Sequence, residues 1–500
     1  MTKAQQELNQ ALEVVDQALK DTGISRRDAL KMVGLSGAAL MVAQGEAQAA
    51  TELKASAAKG KIVIVGGGLA GVACASRLTN MLSSPDITII EPNEQSVSYQ
   101  PGHTLIASGV WTRDAINYNT ADHLPSGVNW VKDFVVDING DTKEVKTAGN
   151  QTIKYDYLIV AAGCVLDFGA IKGLEEVGDV YSLNKADADK AKKILGQNGV
   201  CSMYFADGAA DTWTLMQKFV ADAKSGKKVK GIFPEPHTAF KCGGAQKKLV
   251  NLTNYRLNEA GARANATLDF YTNGGKLFGV PEYHTAIEGQ MKARDIKTTF
   301  NHKFAEVNIA NKVAVFEKHW KEKGPWDPDL EEYTEVEKTE RVEAPFDFLH
   351  IIPPHKAPKE IGKSSVGSEK GWVPVDAQTL QHMKYPNVFA LGDIAAVPLG
   401  KTGGSARKQY RVVCDNLVSL MEGKPLTAKY SGYTVCPLIT NVGTVMLAEF
   451  DWKDPAKKDM SGKMAPSFPL DPTQERWIYW LLKVYLLKPM TIYGMLPGRA

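Results

Sequence analysis

The chain has 500 residues, 44% of them hydrophobic and 23% charged, with a formal net charge of +3. That length buries the cores of two or three domains, and so small a charge excludes a nucleic-acid binder that works through bulk charge. No run reaches the roughly 18–20 uninterrupted apolar residues of a spanning helix. The six cysteines, at positions 74, 164, 201, 242, 414 and 436, show neither CxxC nor metal-ligand spacing, so no metal site is expected.

Residues 1–24 are polar and carry no chemistry. Arg26-Arg27, the mildly apolar run Met32–Ala43 and Ala47-Gln48-Ala49 together predict a twin-arginine signal peptide over 1–49, with a mature start near Ala50 and a periplasmic address.

The stretch 58–165 predicts the first part of an FAD-binding domain. Lys61-Ile62-Val63-Ile64-Val65 reads as a buried parallel strand and runs into Gly66-x-Gly68-x-x-Gly71, followed by a helical run. Gly66 makes the tight turn, Gly68 lets backbone approach a pyrophosphate, and Gly71 lets helix and strand pack closely. The helix N-terminus offers unpaired N–H groups to that anion. A second strand, Ile87–Ile90, ends in Glu91, 20 residues beyond Gly71. An acid at that place accepts from a ribose 2′-OH, which favours FAD or NAD over NADP. Tyr157–Val160 is a further buried strand that stops in Ala161-Ala162-Gly163, the kind of small-residue end that brings backbone close to FAD.

Residues 166–345 form a second dinucleotide-binding-like domain. Val229–Phe233 reads as a strand and leads into Pro234-Glu235-Pro236-His237-Thr238-Ala239-Phe240-Lys241-Cys242-Gly243-Gly244. A nicotinamide nucleotide would need its own glycine fingerprint here. Instead two prolines remove donors and Cys242 stands where the phosphate would sit. Between Lys241 and two glycines, ahead of the helical run from Ala245, Cys242 is placed for a lysine and a helix N-terminus to favour thiolate. The acidic, aromatic stretch 318–345 reads as a solvated loop.

Residues 346–425 return to the FAD-binding domain. Asn387–Leu391 is a buried strand ending in Gly392-Asp393, where the Asp is expected to meet the ribityl and phosphate edge of FAD. Lys401-Thr402-Gly403-Gly404-Ser405-Ala406 opens a helix running to about Glu422, and a cation beside a helix N-terminus suits negative charge on a reduced flavin. The last segment, 426–500, ends in Trp477–Leu487, apolar nearly all round, with Arg476 and Lys483 on one stripe. Too short to span a bilayer, it is expected to be an amphipathic membrane foot.

These residues resemble the sulfide:quinone oxidoreductases, particularly the mitochondrial-type branch, with the flavoprotein subunit of flavocytochrome c sulfide dehydrogenase a near relative. The resemblance covers 58–500. It rests on Glu91-Pro92 with Tyr99-Gln100-Pro101, on Phe240-Lys241-Cys242-x-Gly244-Ala245, on Gly392-Asp393 and Lys401-Thr402, and on Gly432-Tyr433-Thr434 with Cys436-Pro437-Leu438. It implies an α/β, glutathione-reductase-like fold of two dinucleotide-binding domains, with FAD between sulfide on one face and quinone on the other. It also implies that Cys242 is one of two redox cysteines, that sulfide attacks their disulfide to give a persulfide, and that two electrons pass through FAD to membrane quinone. Sulfur then leaves as polysulfide or on an acceptor, and a homo-oligomer is compatible with the pattern.

Two departures matter. The family's second cysteine follows the Gly-Asp pair, where this chain has Ile394-Ala395-Ala396. Cys436 is the most plausible substitute, unless Cys242 works alone or sulfide oxidation has been lost. The cytochrome-linked relatives bear a cysteine in the turn after the ribose acid, but Ser98-Tyr99-Gln100 has none, so FAD is expected to bind non-covalently. The rival readings are transfer to cytochrome c, a type II NADH:quinone dehydrogenase, and a non-enzymatic FAD-binding protein.

Overall fold

The computed structural model describes residues 55–97, 100–327, 329, 331–467 and 470–499, together with Glu13 and Gln17. The signal peptide expected over 1–49 therefore lies outside the described residues, apart from those two positions. So do Ser98 and Tyr99, whose turn was used in arguing for non-covalent FAD. The chain divides into two compact units. Unit 1 takes the chain up to Pro101, Ile116–Cys164 and everything from Lys356 onward, whereas unit 2 takes Gly102–Ala115 and Val165–His355.

Unit 1 opens with β1 (Lys61–Val65), α1 (Leu69–Met81) and β2 (Asp86–Ile90). A short helix, α2 (His103–Ile106), belongs to unit 2, after which β3 (Asn129–Val131) and β4 (Tyr157–Val160) complete the first passage through unit 1. Unit 2 continues with α3 (Ala206–Lys224), β5 (Val229–Pro234), α4 (Ala245–Glu259), β6 (Ala266–Tyr271), β7 (Ile296–Thr299), β8 (Val313–Asp327), β9 (Glu332–Pro345) and β10 (Phe348–His350). Its main sheet is parallel throughout, in the order Val200–Cys201, β10, β5, β6, β7. The strand β10, which the sequence placed with the FAD-binding domain, thus pairs inside unit 2.

The stretch read as a solvated loop is instead a long antiparallel ribbon of β8 and β9. Both of its faces meet solvent along much of its length, with Trp326 and Tyr333 exposed and edge to face at 5.0 Å. A strand wetted on both sides needs no apolar alternation, so the usual period-two signal is missing.

The return to unit 1 brings β11 (Val388–Ala390), α5 (Gly403–Met421), β12 (Thr434–Asn441) and β13 (Thr444–Asp454). The central sheet runs β11-β4-β1-β2-β3, all parallel, with β1 in the middle. Ile62, Val63, Ile64 and Val65 are all buried, which is why β1 shows a continuous apolar run rather than alternation. Helices α1 and α5 pack together, and the Arg77 guanidinium of α1 pairs with Asp415 of α5 at 2.7 Å. After β13 the chain is helical over Trp477–Met495, with wide π turns, and its first turns pack on β13. Lys483, expected on a polar stripe, is fully buried and donates to the Pro101 carbonyl at 3.4 Å. Among the described residues, no helix is long and apolar enough to cross a membrane.

Candidate active site

The glycine loop is built as its sequence requires. Gly66 has φ +102, and a Cβ there would meet the Ala161 carbonyl oxygen at 2.5 Å. A Cβ on Gly71 would lie 1.8 Å from the Gly66 oxygen, so helix and strand touch backbone to backbone. Gly68 is different. It precedes the first turn of α1 with nothing within 4 Å of a would-be Cβ, leaving its surface open to a ligand. Glu91 accepts from Gly67 N at 2.7 Å with one carboxylate oxygen and from Asn93 N at 2.8 Å with the other. Burial pushes its carboxyl up from the ordinary value, against those hydrogen bonds.

The other predicted cofactor residues gather on the same sheet. Ala161 N donates to Val65 O at 2.8 Å and Leu391 N to Val160 O at 3.1 Å, so Ala162-Gly163 and Gly392-Asp393 leave neighbouring strand ends beside the glycine loop. Gly163 has φ +68 and nothing within 4 Å of an added Cβ. Gly392 has φ +73, and a Cβ added there would lie 3.8 Å from the Ala70 methyl. Lys401 donates to the Asp393 carbonyl and sits 4.0 Å from the Trp372 ring centroid. Burial pushes its ammonium below the ordinary lysine value. Thr402 caps α5 by accepting from Ser405 N at 3.1 Å. An open approach at a helix N-terminus, a buried acid and a cation at the strand ends fit FAD. Cys164, the residue after Gly163, lies 3.7 Å from the Asp393 carboxylate.

In unit 2, β5 ends at Pro234 and the loop 235–244 enters α4 through Gly244, whose N-terminus carries no side-chain cap. Cys242 sits in this loop, half-buried, with the left-handed φ of +60. Its carbonyl accepts from Ala245 N at 2.8 Å, and its Sγ receives a hydrogen bond from Lys248 Nζ at 3.0 Å. Three buried lysines surround the loop: Lys241, Lys247 and Lys248. Lys247 pairs with the buried Glu235 and donates to Gly243 O at 3.1 Å. The Lys241 carbonyl accepts from Tyr204 at 2.8 Å, while its ammonium lies 5.9 Å from the Tyr204 ring centroid.

Sequence reasoning pointed to Lys241 as the cation beside the sulfur, and the structure puts Lys248 there. Residues six apart meet because the Cys-Gly-Gly turn folds the loop back onto the first turns of α4. His103 on α2 was also missed. It is buried, burial and the Lys241 charge push it down to about 3, and among the described residues neither ring nitrogen has a hydrogen-bond partner.

None of the six cysteines is joined in a disulfide in this structure. Cys436 is buried on β12 opposite Ala448 of β13. Burial pushes the Cys201 thiol up to about 12 and Cys414 upward as well, which leaves both poorly nucleophilic.

Comparison with known proteins follows this geometry. The pyridine nucleotide-disulphide oxidoreductase family model matches residues 60–201. The mitochondrial sulfide:quinone oxidoreductase of Mus musculus is 31% identical over 436 residues, covering 87% of this chain and 86% of its own. That of Dictyostelium discoideum is 34% identical over 442 residues, covering 88% and 86%. In fold, the chain matches the sulfide:quinone oxidoreductase of Aquifex aeolicus with a TM-score of 0.67 at 19% identity, over 88% of this chain and 92% of that one. The expected periplasmic address, reached by twin-arginine export, is overturned by these relatives, since three that align over 85–88% of the chain at 31–34% identity are mitochondrial proteins. Aligned over most of its length with relatives at 31–34% identity, the chain belongs to the sulfide:quinone oxidoreductase family.

Proposed function

We propose that this protein oxidises sulfide at Cys242 and passes the two electrons through FAD to quinone. The observation that carries the reading is Cys242 itself: a half-buried sulfur in hydrogen-bond contact with a lysine, at the head of a helix that opens a nucleotide-type domain without a glycine fingerprint. When bound, FAD supplies a two-electron acceptor that a quinone can reoxidise.

Each residue has a definable task. Glu91 and the loop Gly66–Gly71 hold the adenosine and pyrophosphate half of the cofactor. Asp393 and Lys401 set charge at the strand ends, where a cation favours the reduced, anionic form of a bound flavin. Cys242 presents a nucleophilic sulfur and retains the sulfane sulfur that sulfide becomes on losing two electrons. Cys436 is the candidate second redox sulfur. The C-terminal helical run supports contact with a membrane surface, because Leu486, Leu487, Met490 and Ile492 remain only partly covered, with Lys488 among them.

The test is anaerobic addition of sulfide to the FAD-loaded protein, followed at the flavin absorbance and repeated with Cys242→Ser and Cys436→Ser. The expected result is bleaching in wild type, reversed when quinone is added, and no bleaching in Cys242→Ser. Equal bleaching in wild type and Cys242→Ser removes Cys242 from the chemistry. Equal bleaching in Cys436→Ser removes the second sulfur alone.

A further inference from the structure

We propose that Lys248 is the counter-ion of the Cys242 sulfur, the group that holds it as thiolate and fixes its direction. The inference rests on reading Cys242 as the reactive sulfur. Three lysines lie around the loop, and their contacts separate them. Lys241 is nearest in sequence, yet its ammonium lies toward the Tyr204 ring. Lys247 is paired with Glu235, so its charge is answered by a carboxylate. Lys248 directs Nζ at Cys242 Sγ, 3.0 Å away, and is itself only 1% exposed.

An ammonium taken out of water costs several kcal/mol unless an anion or good acceptors answer it. A neutral thiol is a poor acceptor, whereas a thiolate is an anion. Holding Lys248 against the sulfur therefore selects the ionised form. The left-handed backbone at Cys242, closed by the Ala245 N to Cys242 O bond, keeps the sulfur at the head of α4. Lys248 stands within the first turns of that helix and reaches back to it. The titratable groups around this arrangement are Lys241 in the loop, Lys247 on α4, Glu235 after β5, His103 on α2, and Tyr204 with His355, whose rings meet edge-on at 5.2 Å. Glu235 is engaged by Lys247 and burial keeps His103 neutral, whereas Lys248 is in direct hydrogen-bond contact with the sulfur.

The experiment is the pH profile of Cys242 alkylation by iodoacetamide in the full-length, FAD-loaded protein, read by mass on the Cys242 peptide, with Cys242→Ser as blank. Lys248→Met is expected to move the inflection up by about 1–2 pH units and to slow alkylation about 10-fold at pH 6.5. Lys248→Arg is expected to stay within about 0.5 unit of wild type, and Lys241→Met to shift it less than Lys248→Met does. A Lys248→Met profile that superimposes on wild type, or a Lys241→Met shift as large, overturns the proposal. Lys248→Gln serves as a second neutral variant. Should neither keep FAD, wild type decides alone: an inflection below about pH 7.5 supports the pair, and one at about 8.5 or above rejects it. A wild-type Cys242 no more reactive than Cys201 or Cys414 defeats the underlying reading of the sulfur, not just the part given to the lysine.

Discussion

Gly68 and Gly71 lie three residues apart in one fingerprint, and the structure gives them separable tasks. An added Cβ at Gly71 lies 1.8 Å from a backbone oxygen, so the loop must open by about 1.2 Å before the contact becomes tolerable. Backbone on both sides cannot give cheaply, and Gly71→Ala is expected to cost about 3 kcal/mol or more of stability even without cofactor. At Gly68 the same methyl meets nothing within 4 Å, and its φ of −71° suits alanine. Gly68→Ala apoprotein should therefore keep its stability to within about 1 kcal/mol. Its cost should appear only when FAD is offered. A methyl that holds one charge-assisted phosphate contact apart loses about 1.5–3 kcal/mol, or about 10- to 150-fold in Kd. Calorimetric melting of the two apoproteins, followed by FAD titration of Gly68→Ala and wild type, reads both quantities. Wild-type FAD affinity in Gly68→Ala would refute the assignment of this loop to the pyrophosphate.

Two further outcomes follow from buried charge. Glu235→Gln leaves Lys247 buried beside a neutral amide and should lower stability by about 3–5 kcal/mol in urea unfolding, while replacing both members with apolar residues should recover most of the loss. His103 is held down to about 3 when folded, against about 6.5 in the unfolded chain, so between those values only the unfolded state takes up its proton. Its contribution is therefore complete above pH 6.5 and is lost as pH falls, by about 1.4 kcal/mol per unit. His103→Leu should flatten the acid side of the stability profile by that slope, and an unchanged slope would show that His103 takes up its proton in the folded protein.

The cofactor cradle was legible because its geometry restricts residue choice. Backbone approaching backbone at Gly66 and Gly71 admits only glycine, and a strand covered on both faces must be apolar throughout, so β1 announces itself. The sulfur stood out through what was missing around it, since Pro234 and Pro236 lack the N–H groups a phosphate loop would need and Cys242 follows where the phosphate would sit. Its lysine was not. Lys241, Lys247 and Lys248 are equivalent in composition, and only the fold of the Cys-Gly-Gly turn decides which one reaches back. His103 gave no sign either, because a lone histidine on a four-residue helix carries no periodic signal. The β8–β9 ribbon escaped for the opposite reason, its charges being spread over both faces. Lys483 was misplaced because a helical wheel assigns a lysine to water, whereas the packed tail gives it the carbonyl of Pro101.

The backbone at Cys242 has one more implication. Left-handed φ is the one region in which glycine is at home and a side chain costs about 1 kcal/mol, and this loop holds a cysteine there although glycines follow immediately. Durability and reactivity consequently pull in opposite directions at this single residue. Cys242→Gly should therefore relax this backbone while removing the sulfur, so the variant can melt higher than wild type and still fail to react with sulfide.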